Sequence, residues 1–504
     1  MVGTSHESEN YDRFTAKRIN FDQQENMSLQ LGSAQDQNAW SEGNQWTINS
    51  FFSRVNYTFA NKYVIEGTIR ADGSSRFDPD HRWGWFPGVN AAWRVGEEGF
   101  MKRLGWFEDL KVRASYGEMG NQSGIGLYDY IQLISLSNDY YPFGTGVKGQ
   151  MATSGNIIST SRTWETIQTT NVGFDFSTLN NRLYGSFDYF WKENKNMLIP
   201  KTYPSMLGAD APSTNSGHLS IHGWEISLGW RDQIKDFSYS VRFNISDAKN
   251  KVVDRVGSNL IQLGNNETPT GYPLNSYFGY EFDGIIQNEQ ELEAYKSRFS
   301  EGGIPGDLSV GDAMYKDLDG DGKLSVLGDG KEGSGDVKYL GDKNPRYNFG
   351  FNLSMAWKGF DLSAFIQGVG RRTMFLEGES RCPMPEAWYQ SAEYWYGKTW
   401  TPERTDAQYP AITLKDKRNY NYYVSTNTKF NVAYARLKNL QFGYTIPQTL
   451  TSKAGLQKVR VYFSGEDLFE VHNTPNGWDP EENSGSITSY PFTRNYSFGI
   501  NVVF

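Results

Sequence analysis

Tyr496-Ser-Phe-Gly-Ile-Asn-Val-Val-Phe504 closes a chain of 504 residues. Read as an extended strand, it puts Tyr496, Phe498, Ile500, Val502 and Phe504 on one face and Ser497, Gly499 and Asn501 on the other. A soluble protein seldom ends on an unbroken apolar strand face, because a flat exposed edge invites aggregation. A transmembrane β-barrel has a use for it: the final strand pairs into the sheet and its outward face meets lipid. These five residues are therefore the candidate terminal strand for membrane insertion. The expected fold is all-β, an antiparallel transmembrane barrel.

Composition agrees. No run approaches the ~18 consecutive apolar residues of a membrane helix, and the mean hydropathy is -0.62. Barrel strands hide their apolar content by alternation, so a weak hydropathy signal is expected of them. Aromatic residues make up 15 % of the chain (31 Phe, 31 Tyr, 15 Trp), enough to furnish two interfacial girdles. A net charge of -9 argues against a nucleic-acid partner, which selects a basic surface. Cys382 is the single cysteine, so neither an internal disulfide nor a multi-cysteine metal site can form. The start, Met1-Val-Gly-Thr-Ser-His-Glu-Ser8, has neither a basic n-region nor an apolar h-region, and the precursor is expected to begin upstream.

Alternation recurs along the chain. Phe237, Tyr239, Val241 and Phe243 alternate with Ser238, Ser240, Arg242 and Asn244, and Trp224–Trp230 repeats the pattern with Glu225 on its polar face. In 110–116, Lys111, Arg113 and Ser115 oppose four apolar residues. Segments 360–367 and 459–464 are looser versions. Further candidates are 51–59, 63–72, 88–95, 127–135, 167–176, 182–192, 274–284, 347–357 and 434–445. Together these predict roughly fifteen strands of bilayer-crossing length. Half-buried soluble sheets also alternate. Two details favour lipid: aromatic residues on the apolar sets, and Arg, Lys, Glu and Asp in mid-strand, where a wet lumen solvates them. Glu225, Arg242 and Arg113 are expected to face that lumen. Short connections (60–62, 179–182, 232–235, 358–359) separate long Gly- and aromatic-rich loops near 119–165, 193–222, 254–345 and 371–433. This is the asymmetry of periplasmic turns and extracellular loops. Only Glu289–Phe299 reads as a helix.

An ordered set of segments resembles the SusC/RagA-like TonB-dependent transporters of Bacteroidetes. They are Asn61–Phe77, Arg82–Gly88 with Glu97–Met101, and Leu110–Gly117 with Gly120-Asn121. Trp164-Glu165, Asn171–Asp175, Asp312–Gly322, Tyr434–Pro447 and the terminal strand complete the set. The resemblance implies an outer-membrane importer of glycan or peptide fragments, energised through the TonB complex and paired with a SusD-like lipoprotein that covers the extracellular mouth. It also implies that residues 1–504 are the carboxy-terminal part of such a receptor. The family's amino-terminal domain, TonB box and plug have no counterpart here, and roughly fifteen strands fall short of the ~22 of a plugged transporter barrel.

The sharpest local motif is Asp317-Leu-Asp319-Gly-Asp321-Gly322-Lys323. Acidic residues at positions 1, 3 and 5 with Gly at 6 match the opening of an EF-hand loop, and Lys323 would offer its carbonyl at position 7. Position 12 is Gly328 instead of Glu, with Asp329 next to it. Two readings stand: a weak structural Ca²⁺ site, or an Asx-rich turn that needs no metal. No other cofactor is called for. A second candidate is the aromatic group Trp388, Tyr389, Tyr394, Trp395, Tyr396 and Trp400. Such rings stack on sugar faces or peptide side chains, or simply pack a loop onto the barrel rim. His218 and His222 are expected in a loop without a third metal ligand, and no nucleophile elbow or P-loop is present. An enzyme is not expected. The competing class is a soluble or surface-anchored β-rich glycan-binding protein.

Overall fold

The structure, a computed structural model, describes all residues except 22–27, 36, 138–141, 144–146, 149–150, 156, 201–205, 207–211, 256–262, 265–267, 328–334, 386–389, 414–415, 483–489 and 491. Fourteen strands form one sheet in which each strand pairs antiparallel with the next in the chain. They are β1 (Val2–Lys17), β2 (Asn38–Phe59), β3 (Tyr63–Ser74), β4 (Trp83–Arg94), β5 (Asp109–Asn121), β6 (Glu165–Thr178) and β7 (Leu183–Pro200). The remainder are β8 (Ser213–Ile234), β9 (Phe237–Asp254), β10 (Arg346–Trp357), β11 (Phe360–Arg371), β12 (Tyr434–Thr445), β13 (Lys458–His472) and β14 (Asn495–Val503). β1 and β14 are the two edges of the sheet.

Register sorts every side chain onto one of two faces. In the middle of the sheet one row runs Phe174, Phe187, Ile226, Ile245, Phe349 across β6 to β10. Two aromatic rows border this apolar face. One contains the stacked Phe51–Trp83 pair and the edge-to-face Tyr189–Trp191 pair. The other contains Phe59, Tyr63 and Trp93 in successive stacks, and Phe360 against Tyr444. Phe51 and Phe59 are separated by about 27 Å along β2, which at the ~40° tilt of a barrel strand spans about 21 Å of height, close to the ~25 Å apolar band of an outer-membrane barrel. Among the described residues no charged side chain occupies this face between the rows, yet Trp85, Val55 and Phe498 are 65 %, 68 % and 83 % exposed. An apolar face of this extent is sustained only against lipid. Tyr496, Phe498, Ile500 and Val502 lie on it, with Phe498 packed on Phe463.

Tight turns join strands on one rim. Ala60 and Asn61 (φ 52° and 57°) and Lys358-Gly359 (φ 47° and 89°) adopt the left-handed geometry that suits hairpin twist. The long connections all lie on the opposite rim, the arrangement that extracellular loops have in outer-membrane barrels. Two of them, 255–345 and 372–433, carry most of the protein's buried apolar core. A helix, Glu289–Arg298, is capped by the Asn288 side chain, which accepts from Glu291 N–H, and it buries Leu292 and Tyr295.

The strand set differs from the sequence expectation in three places. β1 was not expected, because both of its faces are polar: its lipid-side positions above Thr4 are His6, Ser8, Asn10 and Asp12. Segment 274–284 is not a wall strand. Ser276–Tyr280 and Phe282–Ile285 are short strands within the long loop 255–345, where packing on two sides mimics alternation. Segment 127–135 contributes only to a small hairpin, Ile134–Ser137 with Met151–Ser154. In addition, β7 and β8 run well into 193–222, so His218 and His222 sit on a strand and not in a loop. Strands that outgrow the membrane lose their apolar face there, and alternation no longer marks them.

Candidate functional site

The face opposite lipid is a polar wall laced with ion pairs. Arg113 of β5 bridges Asp188 of β7 (2.5 Å) and Asp175 of β6 (3.2 Å), and Lys111 reaches the same Asp175 (3.3 Å). Arg460 meets Asp361 at 2.5 Å, and Arg54 meets Glu66 at 2.5 Å. Glu225 lies beside Asp188 in register, and Arg242 stacks over the Tyr184 ring at 5.8 Å. All three lumen residues expected from sequence are on this face. An open groove of about 880 Å³ runs along it over β2 to β7, lined by Arg54, Arg70, Asp72, Asn90, Met119 and Lys192. Paired charges on a wet wall suit polar contacts to a solute or a second domain without the cost of burying an isolated ion.

Above the wall the two largest loops fold into one unit. Tyr295 Oη meets Tyr420 Oη at 2.6 Å, Ala313 N–H donates to Asn421 Oδ1 (2.9 Å), and Trp400 Nε1–H donates to Gln287 Oε1 (3.1 Å). Glu281 is held by Lys316 and Lys338, whose hydrogen bonds pull its carboxyl down to about 2.

The acidic loop is rearranged relative to its sequence reading. Asp317 and Asp319 cluster with Asp336, their carboxylate oxygens within 4.8 Å of one another. Asp321 lies outside the cluster and accepts from Lys323 N–H (2.7 Å). Lys323 bridges Gly302. Backbone N–H groups of Gly320 and Gly322 donate to Asp317, and that of Gly335 donates to Asp319, the pattern of nested Asx turns. Asp336 is fully buried, and its oxygens accept from Leu318 and Ser325 N–H. Burial pushes its carboxyl above the ordinary value, and Asp319 and Asp317 add repulsion. Sequence reasoning missed Asp336 because a loop doubling back on itself leaves no periodic mark. Gly328 and Asp329 fall outside the described residues.

The aromatic candidates separate. Trp395 is buried against Tyr409 (4.9 Å) and Tyr422 (5.5 Å), Tyr394 shares a hydroxyl contact with Tyr409 (2.6 Å), and Trp400 is fixed by Gln287. Tyr396 alone of these projects outward, 90 % exposed. Trp388 and Tyr389 lie outside the described residues.

Comparison with known proteins accounts for this architecture. The family model "TonB dependent receptor-like, beta-barrel" matches residues 2–468. TonB-dependent receptor P3 of Formosa agariphila is 32 % identical over 490 residues, covering 92 % of this chain and 46 % of that protein. TonB-dependent receptor SusC of Bacteroides thetaiotaomicron is 27 % identical, covering 93 % and 45 %. Among solved structures, the RagAB peptide transporter superposes with a TM-score of 0.80 at 22 % identity, over 99 % of this chain and 52 % of that one. The chain thus spans about half the length of these relatives. Its apolar lipid band, polar wall and long loops are those of an outer-membrane protein, and the chain belongs to the family of TonB-dependent receptor-like β-barrels.

Proposed function

We propose that these residues form wall and extracellular loops of a SusC-like importer that takes up glycan or peptide fragments across the outer membrane. A SusD-like lipoprotein acts as its lid, and TonB supplies the energy. The observation that carries this reading is the two-faced wall: an apolar band toward lipid, ion-paired toward the interior, and overhung by two interlocked loops. Similarity to SusC and to the RagAB peptide transporter supports the cargo class. Deleting the gene should abolish uptake of labelled oligosaccharide or oligopeptide pools, with rescue by the gene only when TonB is intact. Unchanged uptake of both pools would sink the transport role. Rescue in a strain without TonB would sink the energy coupling.

The reading includes a structural calcium ion held by Asp317, Asp319 and Asp336. Three carboxylates this close, one fully buried, repel each other unless a cation compensates. An extracellular module typically binds calcium at ~10⁻⁴–10⁻³ M. At a hundred-fold excess over Kd the ion would stabilise the loop unit by about 2.7 kcal/mol. Calcium added to chelated protein should then protect residues 316–336 from protease, and Asp336→Asn should remove the protection. Equal cleavage with calcium and with chelator would leave the Asx-turn network as the whole explanation.

A further inference from the structure

Register carries the lipid face of β5 to β9 above its aromatic border, and there the charge changes sign across the sheet. One outward row reads Glu118, Gln168, Glu193, Ser220, Lys251 from β5 to β9. The row beneath it ends on Trp191, His222, Lys249. In the row above, Lys195 stands beside Thr166. Three lysines thus gather on β7 and β9, flanking the histidines of β8, while β5 and β6 carry Glu118 and Gln168 in the Lys251 row. Lys195, Lys249 and Lys251 are exposed, and among the described residues none is in an ion pair.

Nearby acids are already engaged. Glu193 meets His218 Nε2 at 2.5 Å and accepts from Ser220 Oγ at 2.7 Å, and Asp247 is taken by Arg346. Among the described residues around the patch, Asp254, at the top of β9 opposite His218, is the remaining exposed carboxylate. Directly below the lysines lie Tyr189, Trp191 and Trp224, the border of the lipid band. Lys249 and Lys251 are about 7 Å apart along one face of β9, so their flexible stems can converge on one anion while lying against the apolar border.

We propose that this patch binds the phosphate-bearing headgroup of a glycolipid in the outer leaflet, with the acyl chains on the Phe187–Ile226–Ile245 row below. Position selects the lipid source. The cations sit at headgroup height, on the outward face, on the extracellular side, where a soluble substrate inside the barrel never passes. Primary amines at a membrane interface attract anionic lipid. The inference rests on membrane placement alone and stands whether or not the transport reading does.

The test uses protein extracted from its native outer membrane in mild non-ionic detergent, with retained glycolipid counted per polypeptide by native mass spectrometry. Wild type should retain phosphorylated glycolipid. Each lysine-to-glutamine change should weaken retention roughly five-fold, and Lys195→Gln/Lys249→Gln/Lys251→Gln together about a hundred-fold. Heat-modifiable migration checks that the barrel is intact. A second arm needs no variant: delipidated wild type is offered the glycolipid, its enzymatically dephosphorylated form, and inorganic phosphate alone. Preference for the phosphorylated lipid supports the site. Equal retention by the triple variant, or equal binding of the dephosphorylated lipid, overturns it. Inorganic phosphate binding as tightly as the lipid would make this a site for soluble anions and overturn the lipid assignment.

Discussion

Replacing Arg436 with methionine will release the last extracellular loop, 473–494, from the wall. Arg436 rises from β12 and is 1 % exposed. Its Nη2 meets Asp479 at 2.5 Å, its Nη1 lies 3.3 Å from Glu481, and its guanidinium covers the Phe492 ring at 4.5 Å. Asp479, Glu481 and Phe492 all belong to that loop. Methionine keeps most of the volume but leaves the half-buried Asp479 without its guanidinium partner, whereas Glu481 retains Lys438 at 3.1 Å. Breaking a buried pair by removing one partner costs about 3–5 kcal/mol. Arg372 continues to hold the Pro480 and Glu482 carbonyls (2.7 and 2.8 Å), so the loop should loosen without unravelling the barrel. Protease added to intact outer membranes should cut the Arg436→Met protein within 473–494 far faster than wild type. Adding Asp479→Asn to that variant should restore part of the protection, because the stranded charge is gone. No change in cleavage would mean that the ion pairs do not hold the loop.

What the sequence revealed follows from which physical constraint acts on each segment. Phe237–Asn244 and Tyr496–Phe504 are legible because lipid on one side and water on the other impose a period of two. β1 is not, because its upper part meets water on both faces and any polar residue serves there. Ser276–Tyr280 misleads in the opposite direction: enclosed by loop on all sides, it carries strand-like residues without being wall. Charges follow the same logic. Arg113 could be placed in the lumen by parity alone, but its partners Asp175 and Asp188 come from two later strands, and only register brings them within reach.

The loop sites were harder to read because their partners are remote in sequence and carry no period. Asp317 and Asp319 announce a tight acidic turn, whereas Asp336 joins them only because Asp336 N–H donates to the Ser325 carbonyl (2.9 Å) and folds the loop back. Trp395 and Tyr396 are neighbours of similar chemistry, yet one is buried and the other exposed. Nothing in a run of aromatic residues tells which ring the cap will enclose, since that depends on Tyr409 and Tyr422 arriving from further along the chain.

Tyr315→Ala should loosen both large loops together. Tyr315 is fully buried, its ring 5.4 Å from Tyr280 within its own loop and 5.3 Å from Tyr420 in the other. Its hydroxyl donates to the Tyr420 carbonyl (2.7 Å), and its own N–H donates to Tyr295 Oη (2.9 Å), which in turn contacts Tyr420 Oη. Burial pushes the Tyr295 hydroxyl up to about 12 and raises that of Tyr315 well above its ordinary value, so these groups stay protonated and hydrogen-bonded at any physiological pH. Truncating a buried aromatic residue costs about 3–5 kcal/mol through lost burial and the cavity left behind. Tyr315→Phe removes only the hydroxyl bond and should cost about 1 kcal/mol. Because the ring belongs to 255–345 and its acceptor to 372–433, hydrogen exchange in the alanine variant should accelerate in both segments by the same factor. The wall strands β2 to β6 should exchange as in wild type. Acceleration confined to 255–345 would mean that the loops are independent flaps. Joint acceleration means that they open as one cap.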